Sequence, residues 1–382
     1  MKPKRVLLAA MSLDLGGAET HVITLARELA RRGHHVAVVS RGGRLTADLE
    51  KSGIDHFPAP LDSRSPLSLC AAILRLSRLL REERPEILHA HARIPAWVCN
   101  VAAKGRVPLV TTYHGVYASG FPWNLVTVPG DLTIAVSDDI AAHFTRHFRF
   151  DPDRIRVILN GIDTSSFRPD LDPRPALAQF NLGGGPRLVH VSRLSGEFAG
   201  TAIHLVSAAA SLARHYPGFQ AVIVGDGDRF DEVRNAATAV NRAAGRDVVV
   251  VTGGCEDMPP LYAVADLVVG VARVALEAMA CAKPVVLAGE GGFRGTLDEN
   301  VMDEAVRHNF TARGSGRSVT PGLLERDIRG LLDDPGLRAR LGALGRKVVL
   351  DGYSVEKMVD MVESVYDEAG STPGPRRGRT AE

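Results

Sequence analysis

The chain has little cysteine, little net charge and no long apolar run, and each lack removes a class of protein. Its four cysteines, Cys70, Cys99, Cys255 and Cys281, stand far apart with no CxxC pair. That pattern argues against a disulfide framework and a cysteine zinc site, and fits a reduced, cytoplasmic protein. No stretch reaches the ~18 consecutive apolar residues of a membrane span. Against 46 basic residues stand 44 acidic ones, a net charge of +2, so no global field selects nucleic acid as a partner. Neither half carries GxGxxG after its first strand with an acidic residue at the end of the second, which disfavours a dinucleotide-dependent dehydrogenase. The apolar run 6–11 behind the basic residues 1–5 breaks at Ser12-Leu13-Asp14 without a small-residue cleavage site, and reads as a buried strand rather than a signal peptide.

What is present is alternation. Strand-like runs at 5–10, 35–40, 86–90, 109–113 and 131–136 alternate with helical patterns at 19–32, 67–84 and after Ser137, which reads as an N-cap with Asp138 and Asp139 in the first turn. A Pro- and Gly-rich irregular stretch, 167–185, reads as a linker. A second series follows, with strands at 187–192, 219–224 and 247–252 and helices at 201–216 and 230–244. Two such series predict two α/β domains with parallel sheets, and ligands at the carboxyl ends of the strands. Closing helices are expected at 323–332, 335–350 and 354–368, and residues 370–382 as a disordered tail.

Residues 265–292 read as strand, Gly-containing turn, helix, strand. Such a turn aims amides and a helix dipole at an anion, above all a phosphate. Glu277, one turn inside, is placed to accept hydrogen bonds from sugar hydroxyls.

Eight ordered motifs carry a resemblance over nearly the whole length: Leu15-Gly16-Gly17-Ala18-Glu19, Thr111-Thr112-Tyr113-His114-Gly115, Ala135-Val136-Ser137, Asn160-Gly161-Ile162-Asp163, Val191-Ser192-Arg193, Gly225-Asp226-Gly227, Pro260 to Asp266, and Leu276-Glu277-Ala278-Met279-Ala280-Cys281 before Lys283-Pro284. The chain resembles the family 4 glycosyltransferases of the GT-B fold. The resemblance implies two Rossmann-like domains facing each other across a cleft, an acceptor domain over 1–166 joined by a returning helix at 353–369, and a donor domain over 167–352. It implies a retaining transfer from a nucleotide diphosphate sugar to a sugar or lipid-linked acceptor, in glycan or surface-polysaccharide assembly, with no metal and no cofactor. It assigns catalytic roles to His114, Arg193 and Glu277, and donor contacts to Gly16, Gly17, Gly227, Gly270, Ala272, Arg273 and Val274.

Two departures stand out. The first glutamate of the family's E-x7-E pattern falls on Val269, and the lysine of the diphosphate clamp falls on Phe198 or Ala199. Arg273 is the nearest substitute cation in sequence, and Ala272 stands where glycine is usual. These gaps keep open a non-catalytic nucleotide-sugar-binding or regulatory subunit. His89 and His91, two apart, can face one way and bind a metal, but no third ligand is visible, and they read as cleft-lining or core histidines. The stretch Asp226-Gly227-Asp228 reads as turn and capping duty. The helix carrying Arg75, Arg78 and Arg81 either covers the sheet or lies on an anionic membrane at the inner face.

Overall fold

The computed structural model describes residues 2–371. They form two compact units, one of residues up to Gly161 joined by the segment from Val355, the other Ile162–Ser354. The strands of unit 1 are β1 (Arg5–Ala9), β2 (His35–Ser40), β3 (Asp55–Pro58), β4 (Ile87–His91), β5 (Leu109–Tyr113), β6 (Leu132–Ala135) and β7 (Ile155–Val157). All are parallel, in the order β3-β2-β1-β4-β5-β6-β7. The reversal at β1 and β4 is the topological switch point, where chain connections leave to opposite sides and open a crevice at the carboxyl edge.

Unit 2 holds β8 (Arg187–Val191), β9 (Gln220–Val224), β10 (Val249–Gly253), β11 (Leu267–Gly270), β12 (Val285–Gly289) and β13 (Gly292–Thr296). Their order is β10-β9-β8-β11-β12-β13, parallel except for the edge pair β12–β13. These central strands are Val- and Leu-rich and buried on both faces, as expected of a sheet covered on each side by helices. Both units are Rossmann-like.

The last helix, Val355–Ser371, belongs to unit 1. Its Met358, Val359, Val362, Val365 and Tyr366 pack into the core that holds Val6, Leu8 and Leu25. Its polar face is tied as well: Arg32 binds Asp360 at 2.6 Å and Glu363 at 2.7 Å, and His34 Nε2 lies 2.8 Å from Glu363.

Four expectations are corrected. Ser137 holds the N-cap position of the helix Asp138–Phe148, with Asp138 and Asp139 in the first turn as expected, but its side chain makes no cap bond; its hydroxyl bonds the Asp139 carboxylate, which accepts from the Ile140 amide. The linker contains a helix, Arg174–Gln179, begun by Pro175 near its start, where proline's fixed φ suits a first turn. Gly370 and Ser371 continue the last helix, while the rest of the expected tail lies outside the described residues. Asp226 and Asp228 serve turns, bonding the amides of Gly227 and Gly196, and neither caps the helix Phe230–Ala244.

Candidate functional site

In unit 1 the parallel order sets the carboxyl ends of β1, β4 and β5 close together, and histidines gather there. His91 ends β4 and His114 follows β5; His91 Nδ1 lies 3.2 Å from His114 Nε2, so one ring donates to the other. His21, in the second turn of the helix Gly17–Arg31, meets His114 edge-on with centroids 4.8 Å apart. The three rings offer nitrogens within 4.8 Å of one another. His89 falls outside this group, in keeping with the reading of His89 and His91 as core or cleft-lining histidines. His89 is committed to the Tyr366 hydroxyl and to Thr112 Oγ1, each at 2.7 Å, and the third imidazole is His21.

Burial strips water from these rings and disfavours their charged form. It pulls His89 down to about 3 and His114 to about 4, and carries His91 well below its ordinary value, with neighbouring imidazoles adding to the effect. At neutral pH His89, His91 and His114 therefore work as uncharged hydrogen-bonding groups. The helices Gly17–Arg31 and Arg93–Ala103 both begin beside it, and their positive ends make it a poor seat for a cation. Gly16 and Gly17 open the first of these helices without a side-chain cap, and a Cβ on Gly17 would meet nothing within 4 Å.

In unit 2, Glu277 is buried on the helix Arg273–Ala280. Its Oε1 accepts from Arg273 Nε at 2.7 Å and its Oε2 from the Tyr262 hydroxyl at 2.8 Å. Arg273 is therefore a partner of Glu277 rather than a free cation, although its Nη1 is buried without a hydrogen bond. In the turn before the helix, the Ala272 amide bonds the Phe310 carbonyl and the Val274 amide the Val271 carbonyl. Two of the expected anion donors are thus engaged within the protein. Ala272 holds φ 52° and ψ −123°, a region that disfavours any residue with a Cβ. Gly270 has no such freedom to spare: a Cβ there would sit 2.5 Å from Val274.

Arg193 follows β8, exposed and without an ion pair among the described residues; its guanidinium carbon lies 5.8 Å from the Phe198 ring centre. Phe198 is 45% exposed whereas Ala199 is fully buried, so the solvent-facing position for a clamp lysine is 198. Gly227 packs on this segment with φ 156°, and a Cβ would meet the Leu194 carbonyl at 2.5 Å. Val269 lies in the apolar core with Leu188, Phe219 and Val286, a place that would penalise a carboxylate. Its carbonyl bonds His190 Nδ1 at 2.8 Å.

A cavity of about 590 Å³ opens nearby, lined by Glu197, Thr201, His204, Gly289–Gly292 and Ser315–Val319. Arg193, Arg273 and Glu277 do not line it. It adjoins their turn through Gly289, where a Cβ would strike Val271 at 2.8 Å. Sequence reasoning missed this cavity, Tyr262 and His190. Only Tyr262 carried a signal, as part of the motif Pro260 to Asp266.

The pattern described as Glycosyltransferase Family 4 matches residues 15–166, and that described as Glycosyl transferases group 1 matches residues 185–312. Among relatives, the D-inositol 3-phosphate glycosyltransferase of Acidothermus cellulolyticus is 29% identical over 96% of this chain and 91% of that protein. Among solved structures, a glycosyltransferase from Rickettsia africae ESF-5 superimposes with a TM-score of 0.78 at 21% identity, over 97% of this chain and 99% of that one. Alr3699/HepE of Anabaena, in complex with UDP-glucose, does so with a TM-score of 0.76 at 22% identity, over 96% of this chain and 100% of that one. With matches to both units and the full order of strands in each sheet, the chain belongs to the family 4 glycosyltransferases of the GT-B fold.

Proposed function

We infer that this glycosyltransferase moves a sugar from a nucleotide diphosphate sugar to a sugar or lipid-linked acceptor, with retention of anomeric configuration, in glycan or surface-polysaccharide assembly. The observation that carries the donor reading is Arg193, an exposed arginine at a strand's carboxyl end with no counter-charge among the described residues. A planar, permanent cation suits a diphosphate bidentately, and gains most as charge develops on the leaving phosphate. The UDP-glucose complex of the Anabaena neighbour supports the same donor class.

Glu277 supplies the second contact. Each of its oxygens accepts one bond from the protein and retains a lone pair. A ribose hydroxyl can therefore donate to it without displacing Arg273 or Tyr262, which fix the carboxylate's direction. The cavity lined by Gly289, Gly291 and Gly292 adjoins the turn and leaves room for the transferred sugar, with close backbone approach at these glycines. His114, uncharged, offers a hydrogen bond to the transferred sugar rather than a positive charge. In a retaining transfer the leaving phosphate itself takes the acceptor's proton, so the chain needs no carboxylate at Val269.

The test is a screen of nucleotide sugars for binding and for release of nucleoside diphosphate, run with the wild type and with Phe198→Lys. Turnover that rises with the added lysine supports an enzyme with a weakened clamp. Binding without turnover in both forms supports a regulatory subunit instead.

A further inference from the structure

We propose that unit 1 docks on an anionic lipid surface through a face built from the helix Pro66–Glu83 and residues 115–126. The proposal deepens the lipid-linked branch of the acceptor reading, and its primary readout uses no nucleotide sugar.

Among the described residues the four most exposed large apolar side chains all lie here: Phe121 at 88%, Leu67 at 84%, Leu74 at 72% and Leu125 at 67%. Covering the sheet does not account for them, because the same helix already buries Ala72, Leu76 and Leu79 on its inner side. The two segments are joined at the Trp123 ring, whose centre lies 5.1 Å from the Arg64 guanidinium and 5.0 Å from that of Arg93. Leu67 lies three residues past Arg64 in the first turn of the helix, Leu125 lies just past Trp123, and Leu74 stands about 10 Å further along the helix.

Charge selects the occupant. Residues 63–81 and 87–130 contain no Asp or Glu, yet carry Arg64, Arg75, Arg78, Arg81 and Arg93. The first carboxylate along the helix is Glu82, at its far end and paired with Arg78 at 2.6 Å. A second copy of this face would set arginine against arginine. Apolar and aromatic tips with arginines beside them are instead the composition of an element lying in the headgroup region of an anionic bilayer. No helix among the described residues is long and apolar enough to cross a membrane, so the association is peripheral. The loop starts at Gly115, next to His114, so docking brings the carboxyl edge of β4 and β5 to the interface, where a lipid-carried acceptor presents its hydroxyl.

The full chain is sedimented with vesicles of phosphatidylcholine alone and of phosphatidylcholine with phosphatidylglycerol, at low and high salt. Binding is expected to the anionic vesicles and to fall with salt. Trp123 is one of two tryptophans, and its fluorescence should shift to the blue on binding, a shift that Trp123→Phe removes. The double variant Phe121→Ser/Leu125→Ser, altered only at exposed positions, should lower partitioning about tenfold or more with unchanged thermal unfolding. Met361→Ser, an exposed apolar residue on the last helix, should leave it unchanged. The proposal is overturned by absent binding, by equal binding to neutral and anionic vesicles, or by self-association in solution that the double variant abolishes. A chain that binds these vesicles but turns over no nucleotide sugar loses the transferase reading and keeps this one.

Discussion

The two units hold their polar side chains at the carboxyl edge in opposite ways. Unit 1 packs imidazoles against one another, and burial keeps His89, His91 and His114 neutral. Unit 2 pairs Glu277 with Arg273 and Tyr262 and leaves Arg193 exposed without an ion pair among the described residues. Desolvation rules the first site and ionic complementarity the second. The difference fits a division of labour in which unit 1 reads uncharged hydroxyls and unit 2 holds an anion.

The largest expected effect breaks the comparison from the unit 1 side, by acid. A histidine whose folded pKa is depressed takes up its proton in the unfolded chain first. Its stability is present above the ordinary value of ~6.5 and is lost as pH falls toward the folded value. His89 and His114, held at about 3 and about 4, and His91, held well below its ordinary value by the same cause, should together cost about 4 kcal/mol per pH unit below ~6.5. Urea unfolding between pH 7 and pH 5 measures this slope. His89→Gln should reduce it by about 1.4 kcal/mol per unit, and an unaltered slope would mean that the ring is not buried neutral.

Next in size is Glu277→Ala, the equivalent break in unit 2. Arg273, with 12% of its side chain exposed, would lose its counter-charge, and unfolding should become easier by about 3 kcal/mol. Glu277→Gln, which can still accept from Tyr262, should cost less. Equal losses would show that charge is not what matters at this pair. The smallest effect sharpens the picture of the turn. Ala272→Gly removes the Cβ from a positive-φ residue and should stabilise the protein by about 1 kcal/mol, whereas a loss would mean that the Ala272 methyl packs favourably enough to outweigh the strain.

The sequence made the strands legible wherever they are buried on both faces, because Val- and Leu-rich runs such as 188–191 and 221–224 admit few alternatives. The edge strand β13, Gly292–Thr296, has two glycines and one arginine in five residues and carries no such signal. The helix Arg93–Ala103 was equally hidden, since Pro95 in its first turn reads as a breaker unless its position is known. At the site, Glu277 was legible from its own helix. Tyr262, fifteen residues earlier, was not, because only the packing of a separate short helix brings its hydroxyl to the carboxylate. The third histidine was hidden for a topological reason. His21, His91 and His114 meet because β1, β4 and β5 are neighbours in the sheet, and no spacing in the sequence encodes that order.

The central claim is that unit 2 holds a nucleoside diphosphate through an exposed Arg193 and an oriented Glu277. It is tested most directly by titrating nucleoside diphosphates and nucleotide sugars into the wild type, Arg193→Ala and Glu277→Gln while following release of nucleoside diphosphate. The account predicts one donor that binds and turns over, with turnover falling about 100-fold in Arg193→Ala while its thermal unfolding stays as in the wild type. Failure of every donor to bind or react, or an Arg193→Ala protein as active as the wild type, would contradict it.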